Sequence, residues 1–314
     1  MNNAVKVVFV DPIGLTDESI AELKALCDLA VYVDVPNGED EILRRIDGAD
    51  IITANWISIT DKIIRSSPTL KYIVVPAVGY EWIDIRAAND AGISVLNCPT
   101  HNSRAVAEFT IAMVFAVARR VIEANTDLRA GVWKPVAYTG MELASKRLGL
   151  IGYGRIGQQV AQMAECAGME VRFANSKTSP GELDQLIAES DVISLNLPLT
   201  AGTLHLIDER RLRLMKEGAY LINTARGALV DQKALVEALK SGHLSGAALD
   251  VFENEPMTGV LREDLRELIA LRNVVATPHI AFNTEEASRR LGTEIVRNIE
   301  SCINGSPINV VNCF

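Results

Sequence analysis

The chain has 314 residues and a mass of 34.1 kDa, a length that suits two domains of about 150 residues each. Apolar residues make up 48% and charged residues 23%, which excludes a disordered or collagen-like chain. A net charge of −9 and a pI near 5.1 argue against nucleic acid or an anionic membrane as the main partner.

Lys6 interrupts the first apolar run and Asp11 follows it, so no secretory signal is expected. The apolar stretch 111–118 stops at Arg119 and Arg120, too short to span a bilayer. Cys27, Cys98, Cys166, Cys302 and Cys313 are scattered, with no Cys-x-x-Cys pair. Neither a disulfide framework nor a metal site is expected, and reduced, buried thiols in a cytoplasmic protein are the plain reading.

Residues 5–10 read as a buried parallel strand. A helix over 19–27 follows, with Thr16 as N-cap. Then come a strand at 29–33, a helix at 39–46, and strands at 49–53, 72–75 and 93–96. Pro99-Thr100-His101-Asn102-Ser103 breaks the rhythm, and a long apolar helix from about 103 to 120 links to a second series. Its strands are expected at 147–151, 171–174, 192–195, 220–223, 246–250 and 274–276, and a last helix at 284–302. The predicted fold class is α/β: two Rossmann-like lobes, parallel sheets with helices on both faces, and a cleft between them.

Gly152-Tyr153-Gly154-Arg155-Ile156-Gly157 matches G-x-G-x-x-G. It follows the apolar strand at 148–151 and opens an amphipathic helix, which is the context the motif requires. The glycines allow the tight turn, the approach of a pyrophosphate and close helix–strand packing. The helix N-terminus supplies free N–H groups and partial positive charge. An NAD site usually carries an acid at the end of the next strand, for the ribose hydroxyls. Here Asn175, Ser176 and Lys177 stand there, and no acid appears before Glu182. This favours NADP(H), with NAD(H) as the alternative.

Three further segments follow strands: Asn223-Thr224-Ala225-Arg226-Gly227, Asp250 through Glu255-Pro256, and Thr277-Pro278-His279-Ile280-Ala281. Arg226, Glu255 and His279 therefore sit at the carboxyl edge of a parallel sheet, where such sheets bind ligands. An imidazole titrates near neutrality and suits a proton donor. A neighbouring Glu255 favours its protonated form. Arg226 offers a planar fork for a carboxylate.

With these motifs in this order, the chain resembles the D-isomer-specific 2-hydroxyacid dehydrogenase family over nearly its whole length, from Ala77-Val78-Gly79 to His279. The resemblance implies a flavodoxin-like substrate domain of residues 1–99 and 285–314, and a dinucleotide-binding Rossmann domain of residues 100–284. It implies hydride transfer between a nicotinamide cofactor and a 2-keto or 2-hydroxy acid, in a cytoplasmic homodimer. It assigns Arg226, Glu255 and His279 to catalysis, and Val78, Gly79 and Arg226 to the substrate carboxylate. It adds Leu197, Pro198, Thr203, Thr224, Ala225, Asp250, His279 and Ala281 to the cofactor site beside the glycine loop. Glu108 on the link helix is expected as a buried acid. His101, His205 and His243 read as structural or surface residues, and Trp133 as a packing residue.

The loop after the third strand, Thr53-Ala54-Asn55-Trp56-Ile57-Ser58, carries no basic residue for a substrate phosphate. A small unphosphorylated acid such as glyoxylate or hydroxypyruvate is the expected substrate. The Glu255 partner of His279 is unlike the Gln of formate dehydrogenases. The Val78-Gly79-Tyr80 loop lacks the lysine of phosphite-type enzymes. The competing reading is a dinucleotide-sensing binding protein or corepressor-like module of the same fold, whose members share the Arg, Glu and His. Whether Trp56 and Trp82 reach the substrate is open in the sequence.

Overall fold

Both strand series form all-parallel sheets in the computed structural model, which describes residues 4–255 and 259–312. Pro256 and Cys313 lie outside the described residues. The chain folds as two units, one of residues up to Asn102 and from Asn283 onward, the other of Ser103–Phe282.

The first unit runs β1 (Lys6–Phe9), α1 (Asp17–Leu26), β2 (Asp28–Val31), α2 (Glu39–Arg45), β3 (Ile51–Thr53), α3 (Asp61–Arg65), β4 (Tyr72–Val74), α4 (Ile85–Asp90) and β5 (Ser94–Leu96). Its sheet has the order β2-β1-β3-β4-β5, the flavodoxin-like arrangement, with the strand order reversing between β1 and β3. Thr16 caps α1, its side chain accepting from the Ser19 N–H, as Ser and Thr do at N-caps.

The second unit opens with α5 (Ser103–Ala118) and α6 (Val121–Arg129). It continues β6 (Arg147–Ile151), α7 (Arg155–Cys166), β7 (Glu170–Ala174), α8 (Pro180–Glu189), β8 (Val192–Leu195), α9 (Glu209–Leu214), β9 (Ala219–Asn223), α10 (Gln232–Lys240), β10 (Leu244–Leu249), α11 (Glu263–Ile269) and β11 (Val274–Ala276). Its order is β11-β10-β9-β8-β6-β7, reversing between β6 and β8. The final helix, α12 (Glu285–Ile303), belongs to the first unit.

Each sheet is covered on both faces, which is why its strands read as unbroken apolar runs. In the first unit Val8, Ile52, Ile73 and Val95 pack toward α2, α3 and α4 residues such as Ile42, Ile63 and Ala87. Val7, Phe9, Ile51 and Val74 pack with Leu23 of α1 and Ile295 and Ile299 of α12. In the second unit Leu148, Leu150 and Ile222 meet α5 and α7 through Val114, Val117, Val160 and Ala164. Ile193, Leu195, Leu221 and Leu249 meet the helices of the other face through Ile187, Leu212 and Leu235.

The link helix expected over 103–120 ends at Ala118. Arg120 sits in the left-handed region, φ 51°, and starts α6. Its guanidinium holds the turn, bonding Glu123 and the Ala137 carbonyl. Glu108 is exposed and pairs with Arg104 one turn earlier, so the expected buried acid is corrected to a surface ion pair. The thiols also divide: Cys98 and Cys302 are buried, Cys27 is half-buried and Cys166 is exposed. Burial pushes the Cys27 thiol up to about 11 and Cys302 up to about 12. No helix among the described residues is long and apolar enough to cross a membrane.

Candidate active site

In the second unit the glycine loop follows β6, at the strand-order reversal where parallel sheets accept ligands. Gly152 has φ +99°, and a Cβ there would lie 2.2 Å from the Asn196 carbonyl oxygen. A Cβ on Gly157 would lie 2.3 Å from the Gly152 oxygen. Only glycine serves at both positions. Gly154 faces open space and heads α7 with no side-chain cap. No side chain caps α7, so its first N–H groups are open to an anion at this sheet edge. Arg155 is exposed at the start of α7 and Ile156 packs inward. The buried Oδ1 of Asn196, just after β8, has no hydrogen-bond partner. These features fit a dinucleotide.

Past β7 the chain turns at 175–178. The Asn175 Oδ1 accepts from the Lys177 N–H at 2.9 Å, and the Asn175 N–H donates to Thr178 Oγ1 at 3.0 Å. Asn175 thus builds an Asx-turn that presents the exposed Ser176 and Lys177. Leu197 and Pro198 follow β8. Thr203 folds its hydroxyl back onto the Pro198 carbonyl at 2.9 Å.

Arg226 stands three residues past β9. Asn223 brackets its turn: Oδ1 accepts from the Ala225 N–H at 3.0 Å, and Nδ2 donates to the Arg226 carbonyl at 2.9 Å. Thr224 is buried, with its hydroxyl 2.7 Å from that of Thr110 on α5. The Arg226 guanidinium donates to the Ala225 carbonyl at 2.8 Å.

Asp250 is fully buried at the end of β10. Its carboxylate accepts from the Thr277 hydroxyl at 2.6 Å and from the Ile280 and Ala281 N–H groups at 2.9 and 2.8 Å. Its carbonyl accepts from the His279 N–H at 2.8 Å. Asp250 therefore fastens the whole 277–281 segment and holds His279 at a left-handed φ of 53°. The His279 Nδ1 lies 2.7 Å from Glu255 Oε2. The other oxygen of Glu255 accepts from the Phe252 N–H at 3.1 Å, so the carboxylate is anchored to its own loop. The edge of Phe282 packs near the imidazole. Both members of the pair are about one-third exposed, 34% and 33%.

In the first unit, Val78 and Gly79 follow β4. The Ala77 carbonyl accepts from the Cys98 N–H at 2.9 Å, and the Val78 carbonyl accepts from Asn97 Nδ2 at 2.8 Å. A trans peptide sets its N–H opposite its C=O. The N–H groups of Val78 and Gly79 are therefore both turned away from the 97–98 segment, as an anion clamp requires. Asn97 is itself held, its carbonyl accepting from the buried Asn298 of α12 at 2.9 Å. After β1, buried Asp11 accepts from the Asn55 and Trp56 N–H groups at 3.0 and 2.5 Å. Burial raises its carboxyl, and those backbone bonds oppose the rise. Trp56 stays 48% exposed, while Trp82 packs on the core and donates to the Ala54 carbonyl at 3.2 Å.

A family model for the D-isomer specific 2-hydroxyacid dehydrogenase NAD binding domain matches residues 111–281. The chain belongs to this family. It is a nicotinamide-dependent dehydrogenase acting between 2-keto and 2-hydroxy acids. A glyoxylate reductase of Thermofilum pendens is 39% identical, over 95% of this chain and 92% of that protein. A hydroxypyruvate reductase of Thermotoga maritima is 41% identical, over 83% and 87%. An acyclic imino acid reductase solved with NADPH and D-Arg superimposes with a TM-score of 0.89 at 35% identity, covering 98% of this chain and all of that one.

The dehydrogenase fold brings His279 and Glu255 into direct contact and ties Asp250 to the same segment. Asp11, Asn97, Asn223 and Thr110 are supporting residues that sequence reasoning passed over. An Asx residue at a strand end was the available signal for Asn223; the other three depend on long-range contacts. His205 meets Glu253 at 2.8 Å. His101 and His243 bond the Cys98 and Leu212 carbonyls. Trp133, expected as a packing residue, is 80% exposed.

Proposed function

We propose that this dehydrogenase reduces a small, unphosphorylated 2-keto acid to the D-2-hydroxy acid, with NADPH preferred over NADH. The observation that carries the reading is the His279–Glu255 pair. The nicotinamide, when bound, supplies the hydride to C2. Glu255 holds Nδ1, so the transferable proton of the imidazolium stands on Nε2. That proton passes to the oxygen of C2 as the carbonyl becomes an alkoxide. Glu255 stabilises the charged imidazole before transfer. Arg226 grips the substrate carboxylate with its planar fork; Val78 and Gly79 keep the substrate-binding role that the family resemblance gives them.

Gly152, Gly154, Arg155, Ile156 and Gly157 would hold the pyrophosphate, with Leu197, Pro198, Thr203, Thr224, Ala225 and Ala281 along the same sheet edge. Asp250 acts there by fixing the 277–281 backbone. Ser176 and Lys177, presented by the Asn175 turn, suit a 2′-phosphate better than an acid would. Asn55 and Trp56 offer a substrate phosphate no cation. The protein is read as a cytoplasmic homodimer. Exposed Val121, Ile122, Leu128, Trp133 and Val136 are apolar side chains that a partner subunit would cover.

The test is His279→Ala in steady-state reduction of glyoxylate and hydroxypyruvate. A loss in kcat of about 10²–10⁴ is expected of a proton donor, with NADPH binding retained. Wild-type turnover would refute the assignment.

A further inference from the structure

We propose that His205 is a positioning residue for this reaction, a clasp that fastens the loop carrying Glu255 to the turn carrying Arg226. The inference rests on the roles given above to His279, Glu255 and Arg226.

Three loops meet at His205. The first is its own, leading into α9. Its N–H donates to the Ala228 carbonyl at 2.8 Å, and the Ile207 N–H donates to the Leu229 carbonyl at 2.9 Å. A parallel bridge joins Ile207 to Val230. The second is the short 3-10 turn Gly227–Leu229, immediately after Arg226. The third is the loop after β10, where His205 Nε2 lies 2.8 Å from Glu253 Oε1. The Glu253 N–H donates in turn to Gln232 Oε1 on α10 at 3.3 Å.

The second and third loops leave each other no slack. A Cβ on Gly227 would lie 1.9 Å from the Phe252 carbonyl carbon and 2.4 Å from the Glu253 nitrogen. Phe252 is also the residue whose N–H anchors Glu255. Displacing Glu253 therefore strains Phe252, the residue whose N–H anchors the Glu255 carboxylate that meets His279.

His205 adopts φ +47°, a left-handed conformation uncommon outside glycine. Such a conformation persists where the surroundings over-determine it, and it clusters at functional sites. Here the backbone bond to Ala228 and the side-chain bond to Glu253 fix it from both ends. Asn254, next to Glu253, is also left-handed, φ 54°, so the clasped loop turns sharply just before Glu255.

The experiment compares H205L, H205Q, E253Q and the H205L/E253Q double variant with wild type and with H279A. Readouts are kcat, KM for the keto acid, the NADPH dissociation constant by fluorescence titration, and the melting temperature. Gln can donate to Glu253 as His does, and Leu cannot. We expect H205L and E253Q each to lower kcat about tenfold, as loss of a charge-assisted contact does. NADPH affinity should hold, H205Q should recover most of the loss, and the double variant should be no worse than either single one. The clasp is overturned if H205L and E253Q keep wild-type kcat while H279A is inactive. It is equally overturned if the two losses add in full, or if H205Q is as impaired as H205L. An active H279A would instead remove the underlying reading, and the clasp with it. Should H205L fail to fold, E253Q against H205Q decides the matter.

Discussion

Glu255→Gln keeps the shape of the side chain and removes its charge. In the native loop one Glu255 oxygen accepts from the Phe252 N–H at 3.1 Å, and the other meets His279 Nδ1 at 2.7 Å. A glutamine has only one acceptor oxygen. If it serves Phe252, the amide NH₂ faces Nδ1, and an imidazolium there would set donor against donor. If it serves Nδ1, the Phe252 N–H loses its acceptor. A hydrogen bond to a charged group contributes about 1.5–3 kcal/mol. The pair is one-third exposed, so solvent screening leaves the lower part of that range, about 1.5–2 kcal/mol. At 1.36 kcal/mol per decade this is about a ten- to thirtyfold loss in the reductive kcat/KM near neutrality. The lost stabilisation belongs to the protonated imidazole. Initial rates of NADPH oxidation, with saturation curves in keto acid, measure the loss. A variant that keeps the wild-type kcat/KM would refute the role given to Glu255.

Arg226→Gln should raise KM for the keto acid about thirtyfold or more, as loss of a bidentate charged contact does, and leave the NADPH dissociation constant unchanged; unaltered saturation would remove the anchor role. Asn97→Ala deletes the bond that orients the Val78 carbonyl, and should raise the same KM about fivefold with kcat retained, the effect of one neutral hydrogen bond. Asp184 bonds Arg210 and also Arg211, which lowers its carboxyl from 3.8 to about 2. A folded value below the unfolded one stabilises the fold fully above pH 3.8, and the gain disappears as pH falls toward 2. Asp184→Asn should thus cost about 1–2 kcal/mol in urea melts at neutral pH, after discounting for the exposed Arg210, and almost nothing near pH 2. An equal cost at both pH values would contradict this linkage.

The strands were legible because both faces of each sheet are covered, so residues 192–195 and 274–276 read directly as β8 and β11. The glycine loop was legible because Gly152 and Gly157 have no steric alternative. The end of α5 was not: Arg119 and Arg120 suit a helix interior, and the break comes from a left-handed Arg120 tied to Ala137, seventeen residues on. Glu108 was misplaced because an apolar helix suggested burial, while a nearby Arg104 gave the acid a partner at the surface. Within the site, the sequence named His279 and Glu255 but could not show what aims them. For His279 that work falls to Asp250, thirty residues from the Ile280 N–H it holds; in the first unit Asp11 and Asn97 hold the 55–56 and Val78 backbones, through partners set by the topology of the sheet. His205 looked solitary because its carboxylate lies 48 residues away in sequence.

The most direct test of the central claim is parallel oxidation of NADPH and NADH with glyoxylate, hydroxypyruvate, pyruvate and phenylpyruvate. A small 2-keto acid should be turned over to the D-hydroxy acid, with the higher kcat/KM for NADPH. An equal or higher kcat/KM with NADH would contradict the part assigned to Ser176 and Lys177. Tight cofactor binding without turnover of any of the four acids would contradict the proposed substrate class.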